Sequence, residues 1–183
     1  MQVQNQQMEQ SEFRDWYVLK VRSKRENYIK EALEKFLGNE IRLLIFTKEI
    51  LHKKNDQYIP VTAPIFPGYL FVHKELSKVI HTIQTNLINE VVYPVSFDNT
   101  PAKVSVDEMK LLLNSTENGK FHLSQGYRSG DSVVITDGPL KEIKGRIVFI
   151  NEKKRKVKIC ICLFGKEMQV TLGLDLLNSD LKH

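Results

Sequence analysis

At 183 residues the chain has room for one domain or two small ones, and its 42% hydrophobic and 27% charged content reads as a globular protein and excludes a disordered chain. No apolar run approaches the ~18 residues that a membrane-spanning helix needs. The net charge of +5 is uneven: residues 1–126 hold 16 Lys and Arg against 15 Asp and Glu, whereas residues 127–183 hold 11 against 7, a basic excess that points to a polyanionic partner.

Residues 1–14 lack the apolar stretch of a secretory signal and read as a disordered lead-in, so a cytoplasmic location is expected. Trp16 to Val21 (WYVLKV) is a β run. Ser23 and Glu26 have the spacing of a capping box. Ile29, Ala32, Leu33, Phe36 and Leu37 then fall at helical spacing, and Gly38 ends the helix. Ile41 to Leu51 and Gln57 to Val72 read as extended segments around the polar tip HKKNDQ. Within the second of these, Pro67 and Gly68 stand between Phe66 and Tyr69. Pro67 cannot donate to a ladder, which sets Phe66-Pro67 at a strand entry, and Gly68 permits a close backbone approach. A second helix starts at Ser77 with Val79, Ile80, Ile83 and Leu87 on its apolar side. Val91 to Phe97 is a further strand. Ser105 and Glu108 form a second capping box ahead of Met109, Leu112 and Leu113. The order β-α-β-β-α-β-α fits an antiparallel sheet with helices on one face, an α+β arrangement.

Residues 114–126 (NSTENGKFHLSQG) break every period and read as a linker. Short strands alone follow: Asp131 to Thr136, the turn Asp137-Gly138-Pro139, Lys144 to Ile150, and the turn NEKKRK. Val157, Ile159, Ile161 and Leu163 then alternate with Lys158, Cys160, Cys162 and Phe164 at strict period two. The turn Gly165-Lys166 and Met168 to Leu172 complete a small closed barrel. Cys160 and Cys162 point to one face, and no further Cys or nearby His completes a ligand set, so neither a metal site nor a disulfide is expected.

WYVLKVRSKRE at Trp16–Glu26, followed by IFPGYLFV at Ile65–Val72, resembles the N-terminal (NGN) domain of the NusG family of transcription elongation factors. RSGDSVVITDGPLKEIKGRIVFIN resembles the KOW domain of the same family, with its Gly-Asp entry, Asp-Gly-Pro turn and Gly145. The chain is thereby identified as a member of that family, with a lead-in at 1–14, an NGN domain at 15–113, a linker at 114–126 and an SH3-like KOW barrel at 127–179.

The resemblance implies partners. Phe66, Pro67, Tyr69, Phe71 and Trp16 would belong to a concave apolar surface that caps the clamp helices of the largest RNA polymerase subunit, a helix-in-groove contact. Packing beneath the first helix is the alternative, strongest for Phe71 in mid-strand. VIHTIQTN at Val79–Asn86 resembles a segment of the RfaH branch whose His-Thr-Thr motif touches the gate loop of the polymerase β subunit. His81 and Thr82 match and Ile83 departs, and a plain solvent-facing helix position remains the alternative. Arg22, Lys24 and Arg25 lie where such paralogues approach the displaced non-template DNA strand, although charge positions a strand without specifying sequence.

In the KOW region, Lys141, Lys144 and Arg146 flank one turn, while Lys153, Lys154, Arg155, Lys156 and Lys158 line the next turn and strand. They suit phosphate contacts along a nascent RNA hairpin, with a merely solvated turn as the alternative. His81-Thr82, the short linker and the basic barrel lead to a specialised paralogue of the LoaP, RfaH and UpxY type, a processive antiterminator. Two other functions compete: a general NusG that couples polymerase to Rho or the ribosome, and a ribosome-associated RNA-binding KOW protein. The β-branched Val157, Ile159, Ile161 and Val170 argue against the helical refolding known in RfaH. No nucleophile-base set or phosphate-binding motif is present, so no catalytic residue, cofactor or metal is expected, and the chain reads as a monomer that is not an enzyme.

Overall fold

The structure, a computed structural model, describes residues 11–38, 41–143 and 146–177. Residues 1–10 of the expected lead-in, and Lys144 and Gly145, lie outside the described residues. The elements run β1 (Trp16–Val21), α1 (Glu26–Leu37), β2 (Arg42–Leu44), β3 (Thr47–Lys54), β4 (Gln57–Pro64), β5 (Tyr69–His73), α2 (Leu76–Asn86), β6 (Val92–Pro94), β7 (Ser96–Phe97), β8 (Thr100–Pro101), α3 (Val106–Asn114), β9 (Lys120–Phe121), β10 (Ser124–Ser129), β11 (Ser132–Asp137), α4 (Pro139–Glu142), β12 (Ile147–Asn151), β13 (Lys156–Leu163) and β14 (Lys166–Leu177). This is the α+β class expected from the sequence. The chain forms two compact units. One takes the segments up to Ile45 and Phe66–Leu113, and the other takes Phe46–Ile65 and the chain from Asn114 onward.

The first unit is built on a four-stranded sheet of order β2-β5-β1-β6, antiparallel throughout. Alternation divides its residues. Leu19, Val21, Leu43, Leu70 and Val72 share one face and form a buried core with Ile29 and Leu33 of α1 and Val79 and Ile83 of α2. The spacing of four in each helix stacks these side chains on a single stripe. Each such burial stabilises the unit by roughly 1.5–3 kcal/mol. Phe36, expected on the same stripe, is instead exposed. The capping box at α3 forms as expected: Glu108 N–H donates to Ser105 Oγ at 3.3 Å and Ser105 N–H to Glu108 Oε2 at 3.1 Å.

The capping box expected at Ser23 does not form. Lys24 takes a left-handed conformation (φ +70°) in a turn closed by Arg25 N–H to Arg22 C=O, and α1 begins only at Glu26. Ser23 therefore stands too early to cap it. The Glu26 carboxylate is buried and accepts the Gly68 N–H at 2.6 Å. That bond gives the strand-entry amide a partner the ladder cannot supply. The Gly68 carbonyl in turn accepts the Val21 N–H at 2.8 Å.

The second unit holds a curled five-stranded sheet of order β11-β10-β14-β13-β12. The strict alternation in β13 is observed: Val157, Ile159, Ile161 and Leu163 are buried, while Lys158 is exposed and Cys160 and Cys162 are half-buried. β13 and β14 pair from Lys156↔Gly173 to Leu163↔Lys166.

The β3–β4 hairpin belongs to this second unit, whereas the sequence reading held residues 46–65 within the span 15–113. β3 runs parallel to β9, and it passes close over β14 at Gly173. A Cβ there would lie 2.6 Å from Glu49 O and 3.0 Å from Ile50 Cα. The apparent run Ile41–Leu51 is thus two strands with different homes, broken at Ile45-Phe46. The hairpin tip, Asn55-Asp56, has φ of +49° and +61°, the left-handed pair that a tight two-residue turn requires. Segment 114–126, read as a linker, carries β9 and the start of β10, with Phe121 and Ser124 buried.

Candidate functional site: an aromatic sheet face and a basic turn

The face of the first sheet turned away from α1 and α2 carries three cross-strand rows. Arg42, His73 and Trp16 form one, Leu44, Phe71 and Val18 the next, and Tyr69, Lys20 and Tyr93 the last. Trp16 stacks on His73 with ring centroids 4.7 Å apart, and its indole N–H donates to Glu12 C=O at 2.7 Å. Phe66, on the turn before β5, lies against both Tyr69 (6.3 Å) and Phe71 (5.6 Å). Lys20 Nζ sits 4.4 Å from the Tyr69 ring centroid, a cation–π contact.

Trp16, Phe66, Tyr69 and Phe71 are therefore neighbours on this face, and none of them packs beneath α1. Trp16, Phe66 and Phe71 are buried core residues, which corrects the expectation that they present a partner-facing surface; of the five, only half-buried Tyr69 and Pro67, exposed at the turn, are accessible. Burial also pushes the His73 imidazole below its ordinary pKa, outweighing the bond to Ser11 C=O, and the Lys74 and Arg42 charges act in the same direction as burial.

On α2, His81 is exposed but Thr82 is buried, its hydroxyl donating to Lys78 C=O at 2.9 Å. The two residues do not present a joint surface, because adjacent helix positions point about 100° apart. At the β1–α1 turn, Arg22 and Lys24 are exposed. Arg25 is held in an ion pair with Glu90, its guanidinium 3.8 Å from the Tyr28 ring. Tyr28 is 48% exposed and gives this corner an aromatic surface that the charge pattern alone did not reveal.

In the second unit the expected cations divide into groups. Lys153 and Lys154 are exposed on the turn between β12 and β13, Lys158 is exposed on β13, and Lys156 is half-buried. Arg146 is exposed just ahead of β12 and lies near enough to act on the Cys160 thiol, whose pKa is raised mainly by burial. Lys141 is exposed on α4, which packs on β10 and β11, at the other end of the strand order from β12–β13. Arg155 bonds Asp175 Oδ1 at 2.5 Å and covers the Tyr58 ring at 4.3 Å.

Sequence reasoning missed three residues of the hairpin. Tyr58 O–H donates to Lys153 C=O at 2.9 Å. Glu49 bonds Lys120 Nζ at 2.6 Å, His122 Nδ1 at 3.2 Å and the Leu123 N–H at 3.2 Å. Lys48 lies beside Lys156, and its pKa is lowered first by burial and then by that charge. No signal in the local sequence tied residues 48–58 to a turn almost a hundred positions later. Among the described residues, no cluster of His, Cys, Asp and Glu has the arrangement of a metal site, and no helix is long and apolar enough to cross a membrane.

The chain is similar to several curated proteins named "Transcription termination/antitermination protein NusG". The one from Thermus thermophilus is 28% identical over 178 residues, covering 86% of this chain and 94% of its own length. That from Streptococcus pyogenes serotype M3 is 29% identical over 160 residues, covering 83% and 88%. That from Rickettsia felis is 23% identical over 172 residues, covering 88% of each. Among solved structures, one described as "Domain interaction in Thermotoga maritima NusG" aligns with a TM-score of 0.47 and 20% identity, over 89% of this chain and 95% of that one. The family described as "Transcription termination factor nusG" matches residues 14–113, more than half of the chain. The protein therefore belongs to the NusG family of transcription factors.

Proposed function

We propose that this chain is a specialised NusG paralogue, a processive antiterminator that binds RNA polymerase through its first unit and nascent RNA through its second. The observation that carries the reading is the accessible part of the sheet face turned away from α1 and α2, where half-buried Tyr69, with Lys20 against its ring, and the exposed Pro67 and Tyr93 lie over the buried Phe66 and Phe71. Tyr69, Tyr93 and Pro67, edged by Lys20 and supported from beneath by the buried rings, suit the clamp helices of the largest polymerase subunit. His81, exposed on α2, is the residue of the His-Thr pair that can reach the gate loop of the β subunit. Thr82 supports the helix instead. Arg22 and Lys24, exposed at the β1–α1 turn, would meet the non-template DNA strand, and Arg25 would act through its contacts with Glu90 and Tyr28. The exposed Lys153, Lys154 and Lys158 supply phosphate contacts to an RNA hairpin.

The test is transcription in vitro by purified polymerase over a template with pauses and a terminator, with and without the full chain. Readthrough that rises on addition, and that falls for Tyr69→Ala, supports the reading. Phe66→Leu is the companion variant, because Phe66→Ala would also open a cavity in a buried site. Increased Rho-dependent termination would instead favour the general coupling role. Co-purification with ribosomal subunits and not polymerase would favour the ribosome-associated one.

A further inference from the structure

We propose that the tip of the β3–β4 hairpin and the turn between β12 and β13 form one phosphate-binding surface, so that the RNA site of the second unit is assembled from two segments 95 residues apart. The inference rests on the RNA-binding reading above and adds residues to it.

Three contacts hold the two segments together. Tyr58 donates to the Lys153 carbonyl at 2.9 Å, Arg155 lies over the Tyr58 ring at 4.3 Å, and Asp175 grips Arg155 at 2.5 Å. Lys53 is the cross-strand partner of Tyr58. It therefore rises from the face of the hairpin that meets the turn. Lys54 follows it and is exposed, as are Lys153 and Lys154. Nearer the base of the hairpin, Lys48 and Lys156 stand close enough to repel.

A clamp whose only purpose was to dock the hairpin would be weakened by this charge. Lys53, Lys153 and Lys154, with Lys54 at the same hairpin tip and Lys156 near enough to act on Lys48, bring like charges together, an arrangement that phosphate oxygens would relieve. Asp56 pairs with Lys53 at 2.8 Å, but the two side chains are 93% and 57% exposed. Such a pair is worth little and yields readily to a phosphate. Arg155, engaged on both sides, is a positioning residue: it aligns the two sets of lysines and does not itself take the ligand.

The test uses the full chain in an anisotropy titration against a labelled RNA stem-loop of arbitrary sequence and a DNA stem-loop of the same sequence, each over a salt series. Wild type is expected to bind the RNA at low salt with a steep slope of log affinity against log salt. K53Q/K54Q and K153Q/K154Q should each lose several-fold in affinity and flatten the slope by roughly 1–2. Tyr58→Ala keeps every charge, yet should flatten the slope like K53Q/K54Q. Combining the two should add little.

If K53Q/K54Q binds as wild type does while K153Q/K154Q is weakened, RNA binding by the turn stands and the joint surface is wrong. If wild type binds neither probe at low salt, the RNA-binding reading fails and this inference falls with it. If both probes bind equally with the same dependence on the variants, the joint surface stands and the preference for RNA is lost. Should Tyr58→Ala fail to fold, K53Q/K54Q decides, since both of its sites are exposed.

Discussion

Glu26 and Gly68 meet across 42 residues of sequence. The buried Glu26 carboxylate accepts the Gly68 N–H at 2.6 Å, fastening the start of α1 to the entry of β5. A Cβ at Gly68 would lie 2.9 Å from Val21 O, on a backbone at φ +81°. Gly68→Ala should therefore cost about 1–3 kcal/mol in urea unfolding. Glu26→Ala, which leaves the amide unpaired, should cost about 1–3 kcal/mol as well. Glu26→Gln should cost less, since its carbonyl oxygen can still accept. Melts that match wild type for both Ala variants would mean the tie is idle.

Gly173 has a comparable role in the second unit. Its substitution by Ala would bring a Cβ to 2.6 Å from Glu49 O, and that backbone oxygen cannot swing away as a side chain can. We expect a loss of about 1–3 kcal/mol and faster proteolysis between His52 and Gln57, because the hairpin is pushed off β14. Unchanged cleavage would show that the hairpin does not depend on this close approach.

Acid should destabilise the protein in two stages. His73 has a folded pKa below its ordinary value near 6.5 because of burial. Between the two values the unfolded chain holds a proton that the folded one does not, so stability falls as pH drops through 6.5 and the loss is complete below the folded pKa. Glu49 has a folded pKa below its ordinary 4.5, first through Lys120. Its contribution is present above that ordinary value and is lost as pH falls through the folded pKa. Melting temperatures from pH 8 to 3 should show both arms. His73→Phe should remove the upper one, and Glu49→Gln should reduce the lower, to which Asp15, held down first by its bond to Lys103, also contributes.

His81 and Thr82 should separate function from stability. His81→Ala, at an exposed site, should leave the melting temperature unchanged and weaken polymerase binding. Thr82→Ala should cost about 1 kcal/mol through its lost bond to Lys78 and its burial. Polymerase affinity lost with Thr82→Ala but kept with His81→Ala would reverse the assignment.

Elements whose signal is local were legible in the sequence. The period of four gave α1 and α2, the Ser105–Glu108 spacing gave the cap of α3, and strict alternation gave β13. The shared face of Trp16, Tyr69 and Phe71 was legible as well, because period two assigns β1 and β5 residues to faces, but the burial of Trp16, Phe66 and Phe71 was not, since it depends on what packs over that face. The hairpin's home was not. Thr47 to Pro64 alternates no differently whether it extends one sheet or lies on another. What decides is Gly173, Tyr58 and Glu49 meeting residues far along the chain. Ser23 misled for a related reason: a capping box is written in four residues, but Glu26 was claimed by an amide 42 positions away.

The second unit is sewn from two lengths of chain, with much of the first unit threaded between them. During synthesis the hairpin emerges well before β9 to β14 exist, so its partner surface is absent until β14 is made. Its long-range closure should make the second unit the slower of the two to fold. It also sets a limit on modular exchange: a chimaera that swaps only the chain after residue 113 would leave a foreign hairpin over β14, and a faithful graft must carry residues 46–65 with it.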